Sequence, residues 1–82
     1  MQGQCPRMKH IEELIADGGD ITLGALVPFE CVASAADRSN TLAMLVRRDG
    51  ETLSALLKRL NKAIAAAYDN GLITDEVNAM QD

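Results

Sequence analysis

The run from Thr52 to Gly71 most constrains what this chain can fold into, because Leu53, Leu56, Leu57, Leu60, Ala63, Ile64 and Ala67 recur at the spacing of one helical face. Thr52 offers an N-cap oxygen and Asn70-Gly71 offers a left-handed C-cap, so the spacing predicts an amphipathic helix about 27 Å long. Just upstream, Leu42, Met44 and Val46 alternate with Ala43 and Leu45, and Asp49-Gly50 separates the two patterns. A strand therefore feeds a helix. The helix stripe needs a sheet face beneath it.

With 82 residues the chain supports one domain, which buries only roughly 60 to 65 per cent of the surface its unfolded chain exposes. Phe29 and Tyr68 are the sole aromatic residues, so the core volume comes from leucine, isoleucine, valine, methionine and alanine. A core this thin calls for a disulfide, a metal or a partner surface. Cys5 sits beside Pro6 in a polar run and Cys31 lies in an apolar segment, so the two cysteines do not form a disulfide framework. The longest apolar run, Leu23 to Cys31, is too short for a bilayer and contains Pro28 and Glu30, which excludes a membrane span there. No signal peptide or lipidation motif is recognised, so the expected location is cytoplasmic.

Residues 1–7 lack periodicity and read as a flexible N-terminal tail, leaving residues 8–82 as the folded domain. Met8, Ile11, Leu14 and Ile15 follow helical spacing, and Gly18-Gly19 stops it, which predicts a short first helix over 8–17. Ile21 to Val27 reads as an edge strand or an extended connection, interrupted by Gly24 and ended by Pro28. Phe29, Cys31, Ala33 and Ala35 alternate with Glu30, Val32 and Ser34, so a strand with one buried face is expected there. Asp37-Arg38-Ser39-Asn40 is the turn, and Thr41 to Arg48 is the returning strand, with Leu42, Met44 and Val46 on one face and Ala43 and Leu45 on the other. After the long helix, Leu72 and Ile73 are expected to pack back as an extended piece, with Thr74 capping a final turn. The fold class is α+β: a short N-terminal helix, an antiparallel β-hairpin or three-stranded sheet, the long amphipathic helix on one face, and a short C-terminal turn. A hairpin alone is marginal in water, so either Ile21 to Val27 adds a strand or a second copy completes the sheet, and a homodimer is the favoured reading.

The residues carry little recognisable chemistry. His10 is the single histidine, and no C-x-x-C or H-x-x-x-H spacing exists, so no metal is expected. Cys31 would need His10 or a positive environment to act as a nucleophile, and its neighbours read as core. Asp17/Asp20 flank two glycines as turn residues, and Asp75/Glu76 occupy a first helical turn. Phosphate-loop and dinucleotide motifs are absent, so no catalytic residue and no cofactor is assigned, and the chain reads as non-enzymatic.

The net charge of -4 opposes wholesale binding to a phosphate backbone, yet the charge is uneven. Arg47, Arg48, Lys58, Arg59 and Lys62 against Asp49 and Glu51 give residues 47–62 a net charge of +3, leaving the rest at -7. This basic strip is the candidate interaction surface, and weak nucleic-acid binding through it is the alternative reading. A helix-turn-helix is disfavoured, because its second helix would present Asp75, Glu76 and Asn78 to the duplex.

The strand Thr41 to Arg48, the step Asp49-Gly50-Glu51-Thr52-Leu53 and the long helix together resemble the HicB-type antitoxins, over about half the chain. The chain departs from that family in having a helix where the first strand should stand and no DNA-binding domain appended after the long helix. The resemblance implies a small protein that masks a toxin or another subunit, as a single chain or as a dimer, with no catalytic residue to carry over. Together these readings describe a small, bacterial-type domain that works by protein–protein contact in a regulatory or accessory role.

Overall fold

A computed structural model of the chain describes residues 8–79. The expected flexible tail at 1–7, with Cys5, lies outside the described residues. The first helix, α1, spans Lys9–Ala16 and buries Ile11 and Leu14. It stops at Gly18, whose φ of 91° belongs to the left-handed region, and Gly19 then lets the chain turn tightly beneath the helix. A Cβ at Gly19 would come within 2.5 Å of Leu14 Cδ1 and 2.8 Å of the Ala36 carbonyl oxygen, so only glycine fits.

Strand β1, Asp20–Leu26, pairs antiparallel with β2, Phe29–Ala36, through the turn at Val27 and Pro28. The edge-strand reading of this segment is thus the observed one, and the sheet gains its third strand from within the chain. Asp37 then closes the next turn: its Oδ1 accepts the N–H groups of Ser39 at 2.8 Å and Asn40 at 2.7 Å, which also holds its carboxyl below the usual carboxylate range. Strand β3, Thr41–Val46, returns antiparallel to β2.

Helix α2 spans Leu53–Asn70, with both caps where the sequence places them. Thr52 Oγ1 accepts the Ala55 N–H at 3.1 Å, and Gly71, at φ 67°, donates its N–H to the Ala67 carbonyl at 3.0 Å. The buried side of α2 is Leu56, Leu60, Ala63 and Ile64. It lies over β3 and β2, while α1 lies alongside α2 and reaches β1. Opposite the leucines the sheet presents Ala33, Ala35 and Ala43, all fully buried, with Leu45 between them, so large residues of the helix meet small residues of the sheet.

Two expectations are corrected. Leu72 and Ile73 do not pack back; both are exposed, and pairing resumes at Thr74–Asp75, which forms β4 parallel to β3 (Ala43 opposite Thr74, Met44 opposite Asp75). Thr74 is therefore a strand residue rather than a helix cap, and the sheet has four strands in the order β1-β2-β3-β4 before the short α3, Glu76–Ala79. A parallel return needs a crossover, and α2 is that crossover, so residues 71–73 serve as the connection. The second correction is Leu42. Strict alternation places it with Met44 and Val46, but the register slips between Ala35 and Ala36, where Ala36 already faces Thr41. That bulge turns Leu42 into the main core beside Ala43, leaving Met44 and Val46 half-buried on the other face.

Candidate interaction surface

Strand β1 is the outermost strand of the sheet, and among the described residues no further strand pairs with its free side. From Ile21 to Val27 it carries no charged side chain. Along an edge strand every second residue leaves its backbone N–H and C=O without a ladder partner. Ile21 and Leu23 lie opposite Ala35 and Ala33, which places them on the sheet face that holds the core. Ile21 packs against that core, whereas Leu23 and Leu26 are each 43% exposed and Val27, at the hairpin tip, is 90% exposed. Helix α1 also leaves a large apolar side chain open to solvent. Ile15 stands one turn beyond buried Ile11 on one stripe of α1, yet it is 54% exposed.

The other side of the sheet is closed. Beyond the two residues of β4, the free backbone groups of Val46 are taken by side chains: its N–H donates to Glu76 Oε1 at 2.9 Å, and its carbonyl accepts from Arg59 Nη2 at 3.0 Å. Arg59 comes from α2 and is itself clamped. Its Nε and Nη2 donate to the two oxygens of Glu51 at 2.7 and 2.8 Å, a bidentate fork, and its Nη1 reaches Glu76 Oε2 at 3.0 Å. Glu51 also accepts the Arg48 N–H at 3.0 Å. The Arg59 fork, then the Arg48 N–H, hold the Glu51 carboxyl down at about 2, and the same fork holds Arg59 above its ordinary value.

This network divides the five residues of the basic strip. Arg59 spends its guanidinium inside the fold, and its side chain is only 22% exposed. Arg47 donates from Nε to the Glu51 carbonyl at 2.7 Å, and Arg48, largely exposed, lies 3.9 Å from Glu76. Lys58 and Lys62 are exposed one turn apart on α2, with no ion pair among the described residues. Arg47 and Arg48 also line a hollow of about 520 Å³ with Phe29, Glu30 and Cys31, so acidic and basic groups alternate around it.

His10 and Cys31 occupy different hollows. His10 lines a cleft between the helices with Glu13, Asp17 and Tyr68, and Cys31 lines the hollow at the opposite end of β2. Among the described residues no three histidine, cysteine, aspartate or glutamate side chains gather as a metal would require. No described helix is long and apolar enough to cross a membrane. The arrangement offers a strand edge with apolar flanks, and its chemistry is that of backbone hydrogen bonding and burial.

No family model, no curated protein and no solved structure matches this chain. Ile21 to Val27 reads in sequence as an edge strand or a connection, and its lack of lysine, the residue that often guards an edge, is a further signal; its free side follows only from the strand order. The plug formed by Arg59 and Glu76 was not visible, because it joins residues 17 apart across a helix and a strand that sequence spacing does not connect.

Proposed function

We propose that this protein is a non-enzymatic contact domain that binds another polypeptide through the free edge of β1, in a regulatory or accessory role of the antitoxin kind and in the cytoplasm. One observation carries the reading: a seven-residue edge strand that is uncharged after Asp20, whose Leu23 and Leu26 are exposed together with Val27 at the adjoining hairpin tip. Edge strands of this kind accept an extended partner strand, with main-chain hydrogen bonds supplying affinity and the flanking side chains supplying selection. The resemblance of β3, the Gly50-Glu51-Thr52-Leu53 step and α2 to HicB-type antitoxins supports the masking role. Nucleic-acid binding through the basic strip is the weaker reading, since Arg59 is engaged by Glu51 and Glu76 and the chain is acidic overall.

The test places the photo-cross-linking residue p-benzoylphenylalanine at Val27, the exposed hairpin tip, in cells that make the protein. A protein adduct that disappears when Leu23→Lys is added supports the reading, provided the double variant keeps its circular dichroism. Absence of any adduct that depends on Leu23 overturns it.

A further inference from the structure

We infer that the strand seated on β1 is β1 of a second copy, so that two chains form a two-fold dimer with one continuous eight-stranded sheet. The inference rests on the edge-binding reading and names its partner. The free backbone groups of β1 require a strand, which excludes a helix as the occupant of the edge itself. Among the described residues, two strands lie at sheet edges, β1 and β4. The β4 edge has two residues, and beyond them the Val46 N–H and carbonyl are already taken by Glu76 and Arg59. Head-to-tail extension, β1 of one chain on β4 of the next, is thereby blocked. Pairing of β1 with β1 remains, and it closes on itself instead of growing into a fibre.

The side chains agree with an antiparallel self-pair. With the two-fold axis at Thr22, Ile21 of one chain falls opposite Leu23 of the other, and each is diagonal to its own symmetry mate, all on the core face. Each Asp20, the one charge in β1, falls at the far end of the pair, away from its symmetry mate. On the core side, α1 packs against β1, so the two α1 helices flank the axis on the face that carries Leu23. One added strand therefore covers Leu23, which a single chain leaves 43% exposed. It also supplies the burial that a chain of this length lacks.

Charge reversal at the axis tests this. Leu23→Lys and Leu23→Glu are each examined alone and mixed in equal amounts by sedimentation equilibrium at micromolar concentration. The wild type is expected at the mass of two chains, each variant alone with its dissociation constant raised at least about tenfold, and the mixture restored. Independently of the variants, amide exchange in residues 21–27 of the wild type is expected to slow as concentration rises through the dimer range. A wild type that stays at the mass of one chain overturns the self-pair, while a Leu23-dependent adduct to another protein would leave the edge-binding reading standing. A dimer that neither variant weakens, with exchange at 21–27 unchanged by concentration, also overturns it.

Discussion

Asn61, in the middle of α2, caps the first turn of α1 by accepting the Ile11 N–H on its Oδ1 at 3.0 Å across 50 residues of sequence. The same oxygen accepts the His10 N–H at 2.8 Å, while Met8, at the usual cap position, supplies no side-chain bond. These are two of the N–H groups that every helix start leaves without an internal partner. Removing the oxygen in Asn61→Ala is expected to cost about 1 kcal/mol, up to about 2, as loss of an N-cap does. Asn61→Asp keeps the oxygen and adds negative charge at a helix N-terminus, so it should lose little or nothing. Urea midpoints at constant slope decide this. Equal losses in the two variants would show that the oxygen does not cap α1.

The Glu51 carboxyl, held at about 2 by Arg59 and the Arg48 N–H, lies below its ordinary 4.5. The unfolded chain therefore binds the proton more readily, and the stabilisation from Glu51 is complete above about pH 4.5 and is lost as pH falls toward 2. Glu51→Gln should be less stable than wild type at pH 7. Its urea midpoint should also fall less steeply between about pH 5 and pH 2 than that of the wild type. Parallel pH curves would contradict the role given to Glu51.

Within the basic strip, structure and surface separate cleanly. Arg59→Lys keeps the charge but loses the planar fork that holds Glu51 while reaching Val46, and a loss of about 1–3 kcal/mol is expected. Lys58→Glu with Lys62→Glu changes two exposed side chains and should stay within about 0.5 kcal/mol of wild type per site. Thermal or urea unfolding of both proteins provides the comparison. A double lysine variant as damaged as Arg59→Lys would mean that the strip acts as one unit.

The elements legible in the sequence are those set by local periodicity and local caps. Leu56, Leu60 and Ile64 mark the buried side of α2, and Thr52 and Gly71 end it, because each of these signals acts within a turn or two of its own position. The features that escaped depend on distant partners. β4 has only two residues, too few for a period, and it exists because β3 offers an edge at Ala43 and Met44. The Asn61 cap and the Arg59 plug likewise join groups that become neighbours only after α2 has crossed the sheet. For the interaction surface, the uncharged run of β1 was readable, but its free side was not, since an outer strand is a property of the strand order.

Gly19 joins α1 to β1 where a side chain has no room, facing Leu14 on one side and the Ala36 carbonyl on the other. Gly19→Ala is expected to cost about 1–3 kcal/mol through displacement of Leu14, a buried core residue. At Gly24, by contrast, a Cβ meets nothing within 4 Å, so Gly24→Ala would be strained only through its backbone, at φ 159°, and not by crowding. Differential scanning calorimetry should therefore show a clear fall in midpoint for the first variant. A change as small as that of an ordinary surface substitution would show that Leu14 has space to move.

Leu42 tests the bulge itself. If the strand alternated without interruption, Leu42 would share the outer face with Met44, and truncating either would cost a similar, modest amount. With the register slipped at Ala36, Leu42 is 5% exposed inside the main cluster, while Met44 is half-buried on the opposite face beside Ser34. Leu42→Ala should thus behave as a core truncation, at about 2–5 kcal/mol, and Met44→Ala should cost distinctly less. The difference also bears on binding: Leu42 lies in β3, two strands from the β1 edge, so its loss should lower the unfolding midpoint without changing which surface pairs. Equal destabilisation by the two variants in urea would place Leu42 back on the outer face and remove the bulge from the fold.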